Sequence, residues 1–374
     1  MADILFLVHG MGKYGQMADG AYKPDPKGWF ADAEDELRKN YDLFIKDTIA
    51  GGDPFDARFT IQRVEFDSIF ETFRDGWQQQ SANWNKLVVD WGSLGLGGAF
   101  VQDIEAFFAG NKPDAFLWTH LADAALYMAP TVRAQVQAHV AHTVVDALAA
   151  AANAGTLGRW SVIAHSLGSA VMHDSLADLQ ALAAQDPVLD AAWTPPRVIC
   201  MAANVARLLS EDVGGLYADT LAPTGPDHPF SYISCRHELD PFTAILPFDP
   251  PAVWTNAPRY ADLSGLDEYF LVKEVIEWIE AVDDFDKFAS VVPHGLAHYL
   301  RQSGVAAEVW PRLVGALPSD CSPALAQAVR QHYAPDLRPV IRQEVAQKLQ
   351  AALAGVAGGQ PVIKQLLSIL GGLI

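Results

Sequence analysis

Trp160-Ser161-Val162-Ile163-Ala164-His165-Ser166-Leu167-Gly168-Ser169-Ala170 is an apolar run that ends at one serine set between small residues. Ser161 to Ala164 reads as a short buried strand, and Ala170 to Leu182 as an apolar helix that starts almost at once. A strand and a helix joined so abruptly leave Ser166 on a sharp turn, an elbow that presents its hydroxyl. The two backbones pass close together at such a turn, so the positions two before and two after the serine have to be small. Ala164 and Gly168 fill them, an A-x-S-x-G variant that carries one methyl more than the commoner double-glycine form.

Working outward, other apolar runs bracket this one. Ile4-Leu5-Phe6-Leu7-Val8 reads as a buried strand that breaks at His9-Gly10-Met11-Gly12. Phe59 to Phe66 alternates apolar and polar residues, as a more peripheral strand does. Arg197 to Ala202 and Phe230 to Cys235 are two further strand candidates. Between them run helical stretches. Ala122 to Ala152 is broken near Pro130 and carries Val132, Val136, Val140, Val144 and Leu148 in a four-residue step, and Asn153-Ala154-Gly155 stops it. Another helix is expected at about Tyr269 to Val282. Strands alternating with helices predict an α/β fold, a central and mainly parallel sheet with helices on both faces.

Two regions stand outside that alternation. Residues 68–120 are rich in Trp and Phe and are read as a cap or lid insertion, with aromatic packing in the main core as the alternative. Residues 317–374 are read as a helical C-terminal extension packed on a catalytic domain that spans 1–316. Its apolar end, Pro361 to Ile374, is too short to span a bilayer. It is expected to pack across the domain, or else to form a dimer or lipid contact.

The 374 residues are 50% hydrophobic and only 19% charged, enough for a sizeable core, and the net charge is −19. An acidity of that size argues against nucleic acid and against docking on anionic membranes. Cys200, Cys235 and Cys321 include no C-x-x-C pair, so neither a disulfide framework nor a zinc site is suggested; no metal and no cofactor is expected. The first residues read as a strand, not a signal peptide, and a reducing cytoplasm is the expected location.

A serine hydroxyl is a poor nucleophile unless a histidine takes its proton and a carboxylate holds that histidine. In the sheet order proposed, acid and base follow the serine along the chain. Of the eleven histidines, only His294, His298 and His332 come late enough, and His332 lies in a polar helical stretch. His294, bracketed by Pro293 and Gly295, is the preferred base, with His298 as the alternative. Asp240, held extended by Pro241 just past a strand, is the expected acid, and Glu238 is its reserve. Two backbone N–H groups have to face the developing oxyanion. Leu167 supplies one at the start of its helix and Met11 the other, with Gly10 and Gly12 letting that loop come close.

With these residues in place the chain resembles the α/β-hydrolases, specifically their serine esterase and lipase branch. The resemblance rests on His9-Gly10-Met11-Gly12, Ala164-His165-Ser166-Leu167-Gly168-Ser169, Leu239-Asp240-Pro241-Phe242 and the His294 loop. The tract before the elbow, with Asp123 and Tyr127, is similar to that of intracellular lipase-like esterases. The resemblance implies an α/β-hydrolase fold and cleavage of a carboxylic ester through an acyl-enzyme, and the aromatic-rich insertion favours a lipid or medium-chain acyl group. An acyltransferase, a thioester or amide hydrolase, or an inactive hydrolase-like binding protein are the alternatives. A small-molecule or lipid ester is the expected partner.

Overall fold

Ile4 pairs with Trp160 and Val8 with Ala164, so the first apolar run and the run before Ser166 lie side by side as parallel strands. The computed structural model describes residues 2–12, 14–18, 21–25, 27–79, 123–124, 126–183, 185, 194–209, 217, 221–224, 230–237, 240, 242–243, 246–264 and 294–333. In chain order the strands are β1 (Asp3–Val8), β2 (Gly15–Ala18), β3 (Ala21–Pro24), β4 (Phe59–Val64), β5 (Trp160–His165), β6 (Val198–Ala202), β7 (Ser231–Arg236) and β8 (Tyr260–Ser264). Six of them form one sheet in the order β4-β1-β5-β6-β7-β8, and every neighbouring pair in it is parallel. β2 and β3 form a separate antiparallel ribbon.

The principal helices are α1 (Trp29–Phe44), α2 (Asp67–Gln79), α3 (Pro130–Asn153), α4 (Leu167–Ala183), α5 (Leu296–Leu300), α6 (Ser303–Val314) and α7 (Pro318–Tyr333). They cover both faces of the sheet, and the two-residue period of the strands divides the core between them. Phe6, Val8, Val162 and Ala164 point to one side, where they meet Val136, Val140 and Val144 of α3 and Leu167, Met172 and Leu176 of α4. Leu5, Leu7, Ile163, Cys200 and Cys235 point to the other, against Leu37 and Tyr41 of α1 and Val309 and Trp310 of α6. Strands buried on both faces carry no polar alternation, which is why β1, β5 and β6 read as unbroken apolar runs. β4, whose alternation marks it as peripheral, is an edge strand. The chain therefore has an α/β fold.

Pro130 opens α3 in its first turn, where a missing N–H costs nothing, and Gly155 (φ +65°) lies just beyond its end. At the start of the aromatic-rich tract, Phe70 is buried in the same core cluster as β1 and Phe73 packs against that cluster. The rest of that tract, residues 80–120, lies outside the described residues, as do the helix expected at 269–282 and the apolar end 361–374. α7 follows Leu317 and buries Leu325 and Val329 against the α1/α6 side. Among the described residues no helix is long and apolar enough to cross a membrane.

Candidate active site

Ser166 follows the last residue of β5 and directly precedes α4, with φ +53°, one of two non-glycine residues with positive φ among those described. A left-handed conformation costs a non-glycine residue ~1–3 kcal/mol, and surrounding structure has to hold it. Here the Ser166 N–H donates to the Ala202 carbonyl at 3.0 Å. The Ser166 carbonyl accepts the Ser169 hydroxyl at 2.6 Å, and that hydroxyl oxygen accepts the Val205 N–H at 3.0 Å.

The loop after β1 lies directly on this turn. A Cβ on Gly10 would come within 2.7 Å of the Ser166 Cβ, and a Cβ on Gly168 would overlap the His9 carbonyl oxygen. The second obstacle is backbone, which no rotamer change relieves. Gly168→Ala is accordingly expected to destabilise the protein by ~1–3 kcal/mol or more and to displace the His9–Gly12 loop. Thermal unfolding and kcat check this: an alanine variant with the wild-type Tm and kcat would refute the close approach.

His9 shapes that loop from within. Its Nε2 accepts the Phe66 N–H at 3.1 Å, so the proton sits on Nδ1, which donates to the Gly10 carbonyl at 2.8 Å. Burial lowers its pKa to about 4, against the upward pull of Asp67, and the ring stays neutral. A planar peptide points its N–H opposite to its C=O, so anchoring the Gly10 carbonyl aims the Met11 N–H the other way. Among the described residues neither the Met11 nor the Leu167 N–H donates a hydrogen bond. Leu167 opens α4, whose N-terminal dipole favours negative charge.

His294 and Asp240 complete the arrangement. The His294 Nε2 lies 2.7 Å from Ser166 Oγ, and its Nδ1 lies 2.8 Å from Asp240 Oδ2. Asp240 is fully buried, yet its pKa lies below the usual carboxylate value. Burial pushes it upward, but His294, the Tyr299 hydroxyl (2.6 Å to Oδ2) and the Phe242 N–H (3.0 Å to Oδ1) together pull it further down. An ionised Asp240 only accepts, so His294 carries its proton on Nδ1 and offers a lone pair at Nε2 to the Ser166 hydroxyl. That is the geometry of a nucleophile, a base and a carboxylate that orients the base.

Each partner is fastened to the fold. The Asp240 turn follows β7, with the Asp240 N–H donating to the His237 carbonyl at 3.1 Å, and the Thr243 hydroxyl donating to that carbonyl at 3.1 Å. The His165 Nε2 donates to the His294 carbonyl at 2.6 Å, so the residue before the serine holds the backbone of His294. Arg301, just past α5, grips Glu36 of α1 with two hydrogen bonds of 2.7 and 2.6 Å. Half-exposed aromatics flank the site: Trp29 stacks 5.7 Å from the His165 ring, and Phe242 lies 4.6 Å from the His294 ring.

Ser166, Asp240, His294, Met11 and Leu167 are thus brought together, as are Gly10 and Gly12. His298 is not. It sits in α5 with its ring against Gly295. Glu238 lies outside the described residues. Tyr299 and His165 were missed by sequence reasoning. Tyr299 gives no signal there, and His165 precedes the serine, which removes it from any search for a base. Among the described residues no cluster of His, Cys, Asp or Glu is arranged to hold a metal ion. Neither a family model, nor a curated protein, nor a solved structure matches the chain.

Proposed function

We propose that this chain is a serine hydrolase of the α/β-hydrolase type that cleaves carboxylic esters through an acyl-enzyme. The observation that carries the reading is the continuous hydrogen-bonded line Ser166 Oγ–His294–Asp240, with bonds of 2.7 and 2.8 Å, ending on a serine held at φ +53°. A surface serine beside a histidine by chance does not have a fully buried, ionised carboxylate behind that histidine.

In this reading His294 Nε2 takes the Ser166 proton as Oγ attacks the ester carbonyl. Asp240 keeps the Nδ1 proton in place and stabilises the imidazolium. The carbonyl oxygen, now negative, moves between the Met11 and Leu167 N–H groups, each donor contributing ~3 kcal/mol to the transition state. His294 then gives its proton to the leaving alcohol, and water repeats the sequence on the acyl-enzyme with the roles of attack and departure exchanged. Trp29 and Phe242 supply apolar surface next to the reacting residues, which favours a lipid or medium-chain acyl ester.

A fluorophosphonate probe tests the reading, since it phosphonylates an activated serine. Wild type is expected to label and Ser166→Ala not to, while Ser166-dependent hydrolysis of p-nitrophenyl esters rises from acetate to octanoate. Absence of Ser166-dependent labelling in folded protein would sink the proposal.

A further inference from the structure

The Met11 N–H lies in a loop with little stiffness of its own. Glycines stand on both sides of Met11, and Gly12 has φ +132°, a conformation that side chains rarely allow. A donor carried on such a segment stabilises an oxyanion only if something outside the segment holds it before the reaction starts.

Two side chains grip the peptide that follows Met11. The Asp123 carboxylate accepts the Gly12 N–H at 2.9 Å, from 111 residues away in sequence. The Tyr14 hydroxyl donates to the Met11 carbonyl at 2.6 Å. The two bonds hold opposite edges of a single planar amide, which leaves that plane no rotation of its own. On the other side of Met11, His9 already anchors the Gly10 carbonyl. Only the φ and ψ of Met11 lie between the two held planes, so its N–H direction is set by His9 on one side and by Asp123 and Tyr14 on the other.

Both anchors are built into the fold. Asp123 is buried, and the Tyr14 N–H donates to the buried Asp67 at 3.0 Å, at the start of α2. Burial, then the Asp123 and Asp67 charges, push the Tyr14 phenol well above its ordinary pKa, so it remains a donor.

We infer that Asp123 and Tyr14 are positioning residues for the Met11 oxyanion donor. Neither touches the reacting atoms; together they preorganise the amide beside the donor. This rests on the ester-hydrolase reading of Ser166. The test compares Asp123→Ala, Asp123→Asn and Tyr14→Phe with wild type in the full chain, using p-nitrophenyl butyrate. Asp123→Ala is expected to lower kcat by ~10–100-fold, part of the loss typical of removing one oxyanion donor, with little change in KM. Asp123→Asn keeps an oxygen for the Gly12 N–H and is expected to recover most of that loss. Tyr14→Phe is expected to lower kcat several-fold.

A folded Asp123→Ala with wild-type kcat overturns the inference, as does an Asn variant no better than alanine. If Asp123→Ala fails to fold, Tyr14→Phe decides: wild-type kcat there overturns it too. Fluorophosphonate labelling of the wild type separates the two levels. Without Ser166-dependent labelling both the hydrolase reading and this inference fall, whereas normal labelling with unaltered variants removes the positioning role alone.

Discussion

Alanine in place of His294 is expected to lower kcat on the order of 10⁶-fold, the loss found when the base of such a unit is removed, while His298→Ala leaves kcat near wild type. The two histidines share one loop in sequence, yet His294 is the one that reaches Ser166, with Nε2 at 2.7 Å from Oγ. A turn further on, His298 belongs to α5, with its ring against Gly295. Because serine and histidine act as one unit, adding His294→Ala to a Ser166→Ala background should cost almost nothing more. Steady-state kinetics on one p-nitrophenyl ester, with circular dichroism to establish folding, is sufficient. A large loss in His298→Ala with His294→Ala active would reverse the proposed assignment.

Asp240→Asn is expected to reduce kcat by ~10⁴-fold with the fold intact. The carboxylate accepts from His294 and Tyr299 on Oδ2 and from the Phe242 N–H on Oδ1. Asparagine has one oxygen. When that oxygen serves Phe242, the amide N–H₂ faces His294 Nδ1 and turns it into an acceptor. The ring proton then moves to Nε2, where it points at Ser166 and the base is lost. The same carboxylate links stability to pH. Its folded pKa lies below the unfolded value, so between the two the unfolded chain binds more protons and stability rises with pH. The contribution is complete above the ordinary carboxylate range and disappears as pH falls through the lowered value. Denaturant midpoints measured below pH ~4 should therefore fall more steeply for wild type than for Asp240→Asn; parallel slopes would contradict the linkage.

What the sequence revealed follows from burial. β1, β5, β6 and β7 were legible because central parallel strands are apolar on both faces, and α3 because its valines step along one buried stripe. β8, Tyr-Ala-Asp-Leu-Ser at the far edge of the sheet, was missed: it is half-exposed and too short for its pattern to stand out. The β2–β3 ribbon has no apolar run to betray it. Ser166 and Asp240 announced themselves through turn chemistry, small residues around one and proline after the other. Sequence preferred His294 for its place between Pro293 and Gly295 but kept His298 open, because both lie in one short stretch and only the path of the chain decides which ring meets the serine. Asp123 entered the sequence reading only through a resemblance. Its bond to Gly12 has no local signature, since it depends on how two distant segments meet.

That distance has a consequence for synthesis. Ser166 meets a histidine 128 residues later, which meets a carboxylate 54 residues before it, and the first strand's loop closes over the turn. Contacts of such separation form only after large loops have closed, at an entropic cost that local structure does not repay. A growing chain that has already emerged past the elbow thus carries an inert serine. With Ser166 as the proposed nucleophile, acquisition of probe labelling during refolding or translation is expected only once β1, β5, the turn after β7 and the His294 loop have all met.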